Sequence, residues 1–175
     1  VIVNHHLLCA DAAVRSSDYG EVIPSCPTLV VDEAHQLEDV ATQYFGVVVS
    51  TYRVDDLAGD AEHLLGRAAG ALAVRHAEDL HTALTRVGDH ARTFFSGLML
   101  APRREDRARY TAESIAEHAG DGMMLAGALE GFEASLALAR ASADAGSVAD
   151  IDDDLAAVQR RAGELKDELR FLLRA

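Results

Sequence analysis

The sequence has no tryptophan, and aromatic residues make up only 5% of it. A core built on large rings is excluded, so aliphatic packing must take its place. Prolines stand only at Pro24, Pro27 and Pro102, which leaves long stretches free of the strongest helix breaker. Cys9 and Cys26 are the two cysteines, and no CxxC pair or third ligand accompanies them. A zinc or iron–sulfur site in this chain is therefore not expected. A chain of this size does not need a disulfide, so reduced thiols and a cytoplasmic setting are expected. Cations are scarce too: 16 Lys and Arg face 29 Asp and Glu, a net charge of −13. A free-standing nucleic-acid binder carries a basic face, and the chain as a whole does not. No apolar run approaches the roughly 20 residues of a membrane span, so no membrane partner is expected. No secretory leader pattern is visible.

What is present has two textures. Hydrophobic residues reach 49%, which excludes a disordered tail. Residues 1–50 alternate short β-branched runs with short helical patterns. "VIV" (Val1 to Val3), "TLVV" (Thr28 to Val31) and "VVV" (Val47 to Val49) read as strands. "NHHLLCADAAVR" and "AHQLEDVATQYF" read as helices, and "SSDYGEVIPSCP" as a loop. Uniformly apolar strands separated by helices predict a parallel sheet covered on both faces. The opening run reads as an interior strand, so a piece of a longer protein is expected.

From Ser50 onward, helical periodicity dominates. One stripe is Val54, Leu57, Ala58, Ala61, Leu64, Leu65, Ala68 and Leu72. A second is Leu80, Leu84, Val87, Ala91, Phe94 and Leu98, ended by Pro102. A third is Ile115, Ala119, Met123, Ala126, Leu129, Phe132, Leu136 and Ala139, with a break or kink predicted at Gly120 to Gly122. The fourth, Ile151, Leu155, Val158, Ala162, Leu165, Leu169 and Leu172, alternates steps of four and three like a coiled-coil seam. Ser147 with Asp150 resembles a capping box at its start. The expected fold class is mainly α: an antiparallel bundle of four or five helices over 51–175, preceded by a short α/β remnant over 1–50.

The sharpest feature is "TLVVDEAHQLED", Thr28 to Asp39. A parallel strand delivers its last residues to the crevice at the sheet's carboxyl edge, where ligands bind. Asp32 and Glu33 follow such a run directly. Adjacent carboxylates have two uses in phosphoryl transfer. One holds hydrated Mg²⁺ against the phosphates, and the other orients or deprotonates the attacking water. The alternative is an acidic helix N-terminus, which Asp and Glu also favour.

"TLVVDEAH" resembles motif II, the Walker B element, of superfamily 2 helicases. With "VIVNHHLL" upstream it is similar to the DinG/XPD-type helicases, and "DEAHQLEDVATQYFGVVVST" resembles the bacterial DinG and YoaA branch. The resemblance covers residues 1–51 by motif, and the remainder by position and helical character. It implies a remnant of the first RecA-like motor domain over 1–50 and a helical arch domain over 51–175. It further implies that Asp32 holds Mg²⁺ of Mg–ATP through water, that Glu33 is the catalytic base, and that His35 couples hydrolysis to DNA binding. The parent would be an ATP-dependent helicase moving 5′ to 3′ on single-stranded DNA in repair or replication. A 4Fe–4S cluster, if the parent has one, would lie upstream of Val1. No GxxxxGK[ST] phosphate loop occurs in the sequence, and its one lysine, Lys166, sits in the last helical pattern. The isolated chain is therefore expected to be inactive.

Other residues carry weaker signals. His5, His6 and His35 do not have zinc-protease spacing, so Asn4 and His5 are expected to cap and pack the end of the first strand. Arg103, Arg104, Arg107 and Arg109 form the basic cluster of an acidic chain; they could meet DNA phosphates or lie in a solvated loop offset by Glu105 and Asp106. Homo-association could run through unpaired strand edges or the Ile151–Leu172 helix. A helical protein–protein interaction module is the competing function. A small complete α/β enzyme is disfavoured by the lack of a phosphate loop.

Overall fold

The computed structural model of the chain describes residues 1–15, 20–68, 74–100, 112–142 and 149–174. Leu72, Pro102, the arginine cluster and Ser147 lie outside them. The chain divides into two compact units, Val1–Val48 and Val49–Ala175.

In the first unit, helix α1 spans His5–Arg15 and helix α2 spans Leu37–Phe45, with one 3-10 turn at Ala34–Gln36 before it. The two helices pack together. Asn4 caps α1: its Oδ1 accepts the Leu7 N–H at 2.8 Å, and its carbonyl accepts the Leu8 N–H at 3.1 Å. It therefore caps a helix, where the sequence suggested a strand end. Cys9 is buried and Cys26 exposed, both free thiols.

The three β-branched runs form no strands among the described residues. Val1 and Ile2 are fully open to solvent, and Val30 is 86% exposed. The physical reason is that a strand is a property of a pair. A buried parallel strand needs neighbours on both sides, and these three short runs do not serve as neighbours for one another.

A buried acid organises this unit. Asp11 is only 5% exposed. Its Oδ1 accepts the backbone N–H groups of Val22 and Ile23 at 2.7 and 2.8 Å, and its Oδ2 accepts from Arg15 Nε at 2.6 Å. Arg15 continues to Glu21 at 2.8 Å and to the Ile23 carbonyl. The Ile23 N–H, then Arg15, hold the Asp11 carboxyl below the usual carboxylate range. This clamp ties the last turns of α1 to the segment that leads into the DEAH sequence.

The second unit is a four-helix bundle: α3 Thr51–Arg67, α4 Val74–Leu100, α5 Ala112–Ala141 and α6 Ala149–Arg174. Ser50 caps α3, its Oγ accepting the Arg53 N–H at 3.3 Å. α3 packs on α4, α4 on α5, α5 on α6, and α6 back on α3, closing a ring. Cross-helix pairs give the directions. Arg53 pairs with Glu168, Arg161 with Asp60 and Asp56, and Arg67 with Asp154. Numbers rise along α3 as they fall along α6, so the two helices are antiparallel. The pairs Glu130–Arg170, Glu133–Lys166 and Arg140–Asp152 show the same for α5 and α6. These pairs are at best partly buried and each contributes about 0–1 kcal/mol, so they record register more than they supply stability.

Stability comes from the stripes. Val54, Leu57, Ala61 and Leu64 of α3 are buried with Leu80, Leu84, Val87, Ala91 and Phe94 of α4. From α6 come Leu155, Val158, Ala162, Leu165 and Leu169, so the heptad-like seam is used inside its own bundle.

α5 departs from expectation in two ways. It runs unbroken through Gly120 to Gly122. And Met123, placed on the inward stripe by periodicity, is 51% exposed, while Gly122 and Leu125 point inward. A Cβ on Gly122 would stand 2.7 Å from Leu173 Cδ2 and 3.1 Å from Phe94 Cε2. The glycine is the contact that lets α4 and α6 close over α5, so it occupies a core position instead of breaking the helix. Covered by α4 and by α6, α5 can be apolar on more than one side. Over Ile115–Ala141 it is long and apolar enough to cross a membrane by length and composition, although acidic residues such as Asp121, Glu130 and Glu133 interrupt the apolar run in the sequence. Its Leu125, Ala126, Leu129, Phe132, Leu136 and Ala139 are spent in the bundle core.

Leu129 is 0% exposed, and Leu129→Ala is expected to lower stability by about 2–5 kcal/mol in chemical denaturation. Gly122→Leu is expected to cost about 1–3 kcal/mol through overpacking, whereas Met123→Ala is expected to stay within about 0.5 kcal/mol. In the first unit, Asp11→Asn is expected to release the Val22 and Ile23 amides to fast hydrogen exchange at neutral pH. Because the folded-state pKa of Asp11 is depressed, its contribution is present above about pH 4 and is lost as pH falls through the folded value. Wild-type protection of the two amides should therefore approach that of the variant in strong acid.

Candidate functional site

The DEAH residues form a sharp, solvent-facing turn. Val31 enters without regular structure, and Asp32 Oδ1 accepts the N–H of Glu33 at 2.9 Å. Glu33 has φ 48° and ψ 45°, and among the described residues it is the one non-glycine with positive φ. For a residue with a Cβ this left-handed geometry costs roughly 1 kcal/mol, so something must hold it. The Gln36 N–H donates to the Glu33 carbonyl at 2.9 Å and closes the 3-10 turn. His35 Nδ1 lies 3.2 Å from Glu33 Oε2. The two side chains are 73% and 61% exposed.

A second hold comes from α1. His5 Nε2 lies 2.9 Å from the carbonyl oxygen of Asp32. A carbonyl only accepts, so Nε2 carries the proton of this contact. The next residue, His6, faces Tyr44 of α2 with ring centroids 6.1 Å apart and a 60° tilt. Asn4, His5 and His6 thus cap α1, hold the start of the DEAH turn, and touch the helix that leaves it.

The structure brings Asp32, Glu33 and His35 together on one turn. It also brings His5 to them from 27 residues earlier, a contact periodicity cannot reveal. The Asp11–Arg15 clamp was likewise not singled out in the sequence, although its i, i+4 spacing on a helix was visible. Arg103, Arg104, Arg107 and Arg109 lie outside the described residues.

Chemically, the turn offers two carboxylates to solvent. A hydrated Mg²⁺ takes oxygen ligands, keeps several waters, and needs one or two carboxylates beside the phosphates. Asp32, with Oδ1 held by a backbone N–H and its residue exposed, fits that requirement.

The bundle has its own concavity, a groove of about 280 Å³ between α4 and α5. His76, Asp79 and Arg86 line one wall, and Gly127, Gly131 and Ser135 the other. His76 Nε2 is buried there without a hydrogen-bond partner among the described residues.

No protein-family model matches the chain. No solved structure matches it either. Two curated relatives do. The ATP-dependent DNA helicase YoaA of Escherichia coli K12 is 52% identical over 60 residues, 34% of this chain and 9% of that protein. The ATP-dependent DNA helicase YoaA of Haemophilus influenzae is 50% identical over 60 residues, with the same shares. The chain therefore matches under a tenth of the length of these relatives. Over 34% of its length, the chain is similar to YoaA/DinG-like ATP-dependent DNA helicases.

Proposed function

We propose that this chain is a segment of an ATP-dependent DNA helicase of the YoaA kind, in which residues 1–50 belong to the first motor domain and 51–175 form a helical arch. The observation that carries the reading is the identity of 52% over 60 residues to a protein named for that activity. The solvent-facing pair at Asp32 and Glu33 supports it, because the reaction needs carboxylates open to a metal-bound phosphate and to water.

In this reading Asp32 would hold the Mg²⁺ of Mg–ATP through water, and that metal would neutralise charge at the phosphates. Glu33 accepts the proton of the attacking water. His35, 3.2 Å from Glu33, orients that carboxylate and couples it to the DNA-bound state. The phosphate loop, absent from this sequence, comes from elsewhere in the longer protein, so the isolated chain does not hydrolyse ATP. Single-stranded DNA and ATP are the partners of the whole protein, and its setting is the cytoplasm. The arginines at 103, 104, 107 and 109 contact DNA phosphates where the strand passes the arch.

The test is the ATPase rate of the full-length protein with Mg²⁺ and single-stranded DNA. Glu33→Gln is expected to lower kcat by about 100-fold or more, with ATP binding retained. A Glu33→Gln protein that hydrolyses ATP at the wild-type rate would remove Glu33 from the mechanism. Hydrolysis by the 175-residue chain alone would overturn the claim that its site is incomplete.

A further inference from the structure

We infer that His5 is a positioning residue for the DEAH turn: through its ring N–H it fixes the Asp32 carbonyl, and so fixes where the Asp32 and Glu33 carboxylates stand. The inference rests on the proposed ATPase reading for its consequence, and on geometry alone for its existence.

The turn needs such a hold. Asp32 is followed directly by a glutamate in the left-handed region, a conformation an unsupported chain would leave. Local bonds account for part of the support: Asp32 Oδ1 to the Glu33 N–H, and the Glu33 carbonyl to the Gln36 N–H. Both lie within the turn and would move with it. His5 is different because it belongs to α1. Its Nε2 reaches the Asp32 carbonyl at 2.9 Å, and its own place is fixed by the Asn4 cap one residue before it. The far end of α1 is fixed separately, by Asp11 on the Val22 and Ile23 amides. α1 is therefore tied near both ends, and His5 is the point where it touches the turn. His6 on Tyr44 adds a contact on the other side, to the helix that leaves the turn.

The partner explains the residue type. The Asp32 carbonyl needs a donor with a fixed direction and some length, offered from the first turn of a helix. An imidazole protonated at Nε2 provides that donor on a two-torsion side chain. Glutamine carries an N–H donor to a similar reach but with more rotamer freedom, so it should serve imperfectly. Alanine should not serve at all.

A carboxylate displaced by a fraction of an ångström retains metal–nucleotide binding but loses alignment with the attacking water. The expected signature in the full-length protein is thus a split. His5→Ala lowers kcat for DNA-stimulated ATP hydrolysis about 10-fold, with KM for ATP changed less than about 3-fold. His5→Gln recovers most of the lost kcat, and the two variants melt within a few degrees of one another. A role in folding alone would not produce rescue at equal melting temperature. In the 175-residue chain, nitrogen-resolved NMR of the imidazoles is expected to show His5 as the Nε2–H form. A His5 found as the Nδ1–H form overturns the contact itself. A His5→Ala rate equal to that of an active wild type, or a His5→Gln no better than His5→Ala, overturns the positioning role alone. A wild-type protein that hydrolyses no ATP, with the Nε2–H form present, instead overturns the ATPase reading and leaves the contact standing.

Discussion

The bundle depends on how α5 is covered. A helix with apolar residues on more than one side must be packed on more than one side, and α5 lies against both α4 and α6. Leu125, Ala126, Leu129, Phe132, Leu136 and Ala139 supply the buried surface. Small residues set the spacing: at Gly122 a Cβ would collide with Leu173, and at Gly97 it would stand 3.0 Å from His118. α3 then closes the ring on α6, and oppositely charged residues of the two helices pair across the seam in both senses. Lys166 shows the same economy of charge: it is nearly covered, and Glu133 at 2.8 Å holds its ammonium above the usual lysine range. Many of the cations described in this unit are thus engaged with acids of the same bundle, which agrees with the chain's acidic balance.

The first unit follows another logic. It has little apolar core, with Cys9 and Val40 its buried hydrophobic residues among those described. Directed hydrogen bonds do the organising instead. Asp11 gathers two backbone amides and an arginine, Asn4 caps α1, and His5 reaches the Asp32 carbonyl. Such bonds are modest in net energy but strict in direction, and they hold the turn that carries the Asp32 and Glu33 carboxylates.

The amount legible in the sequence differed by element for physical reasons. The stripes of α3, α4 and α6 were readable because a helix buried mainly along one face writes its period into the apolar residues. α5 was misread by one position because a glycine at a close helix crossing looks like a breaker in sequence, and the adjacent Met123 looked like the core residue. The β-branched runs kept their strand signal without forming strands, since pairing is not a local property. Asp32, Glu33 and His35 could be singled out because their signal is a contiguous string. His5 could not be tied to them, because its partner is a backbone carbonyl 27 residues away, and a backbone atom leaves no mark on the sequence.

On the proposed reading, the turn at Asp32 and Glu33 is the metal-and-water side of an ATPase site whose phosphate side lies elsewhere in the longer protein. A crystal structure of the full-length protein with Mg²⁺ and a transition-state mimic of ATP tests it most directly. The expected result is the Asp32 carboxylate hydrogen-bonded to a water of the metal, the Glu33 carboxylate on the attacking water, and His5 Nε2 still on the Asp32 carbonyl. A nucleotide-bound structure in which the metal and the attacking water are held by other residues, with this turn facing bulk solvent, would contradict it.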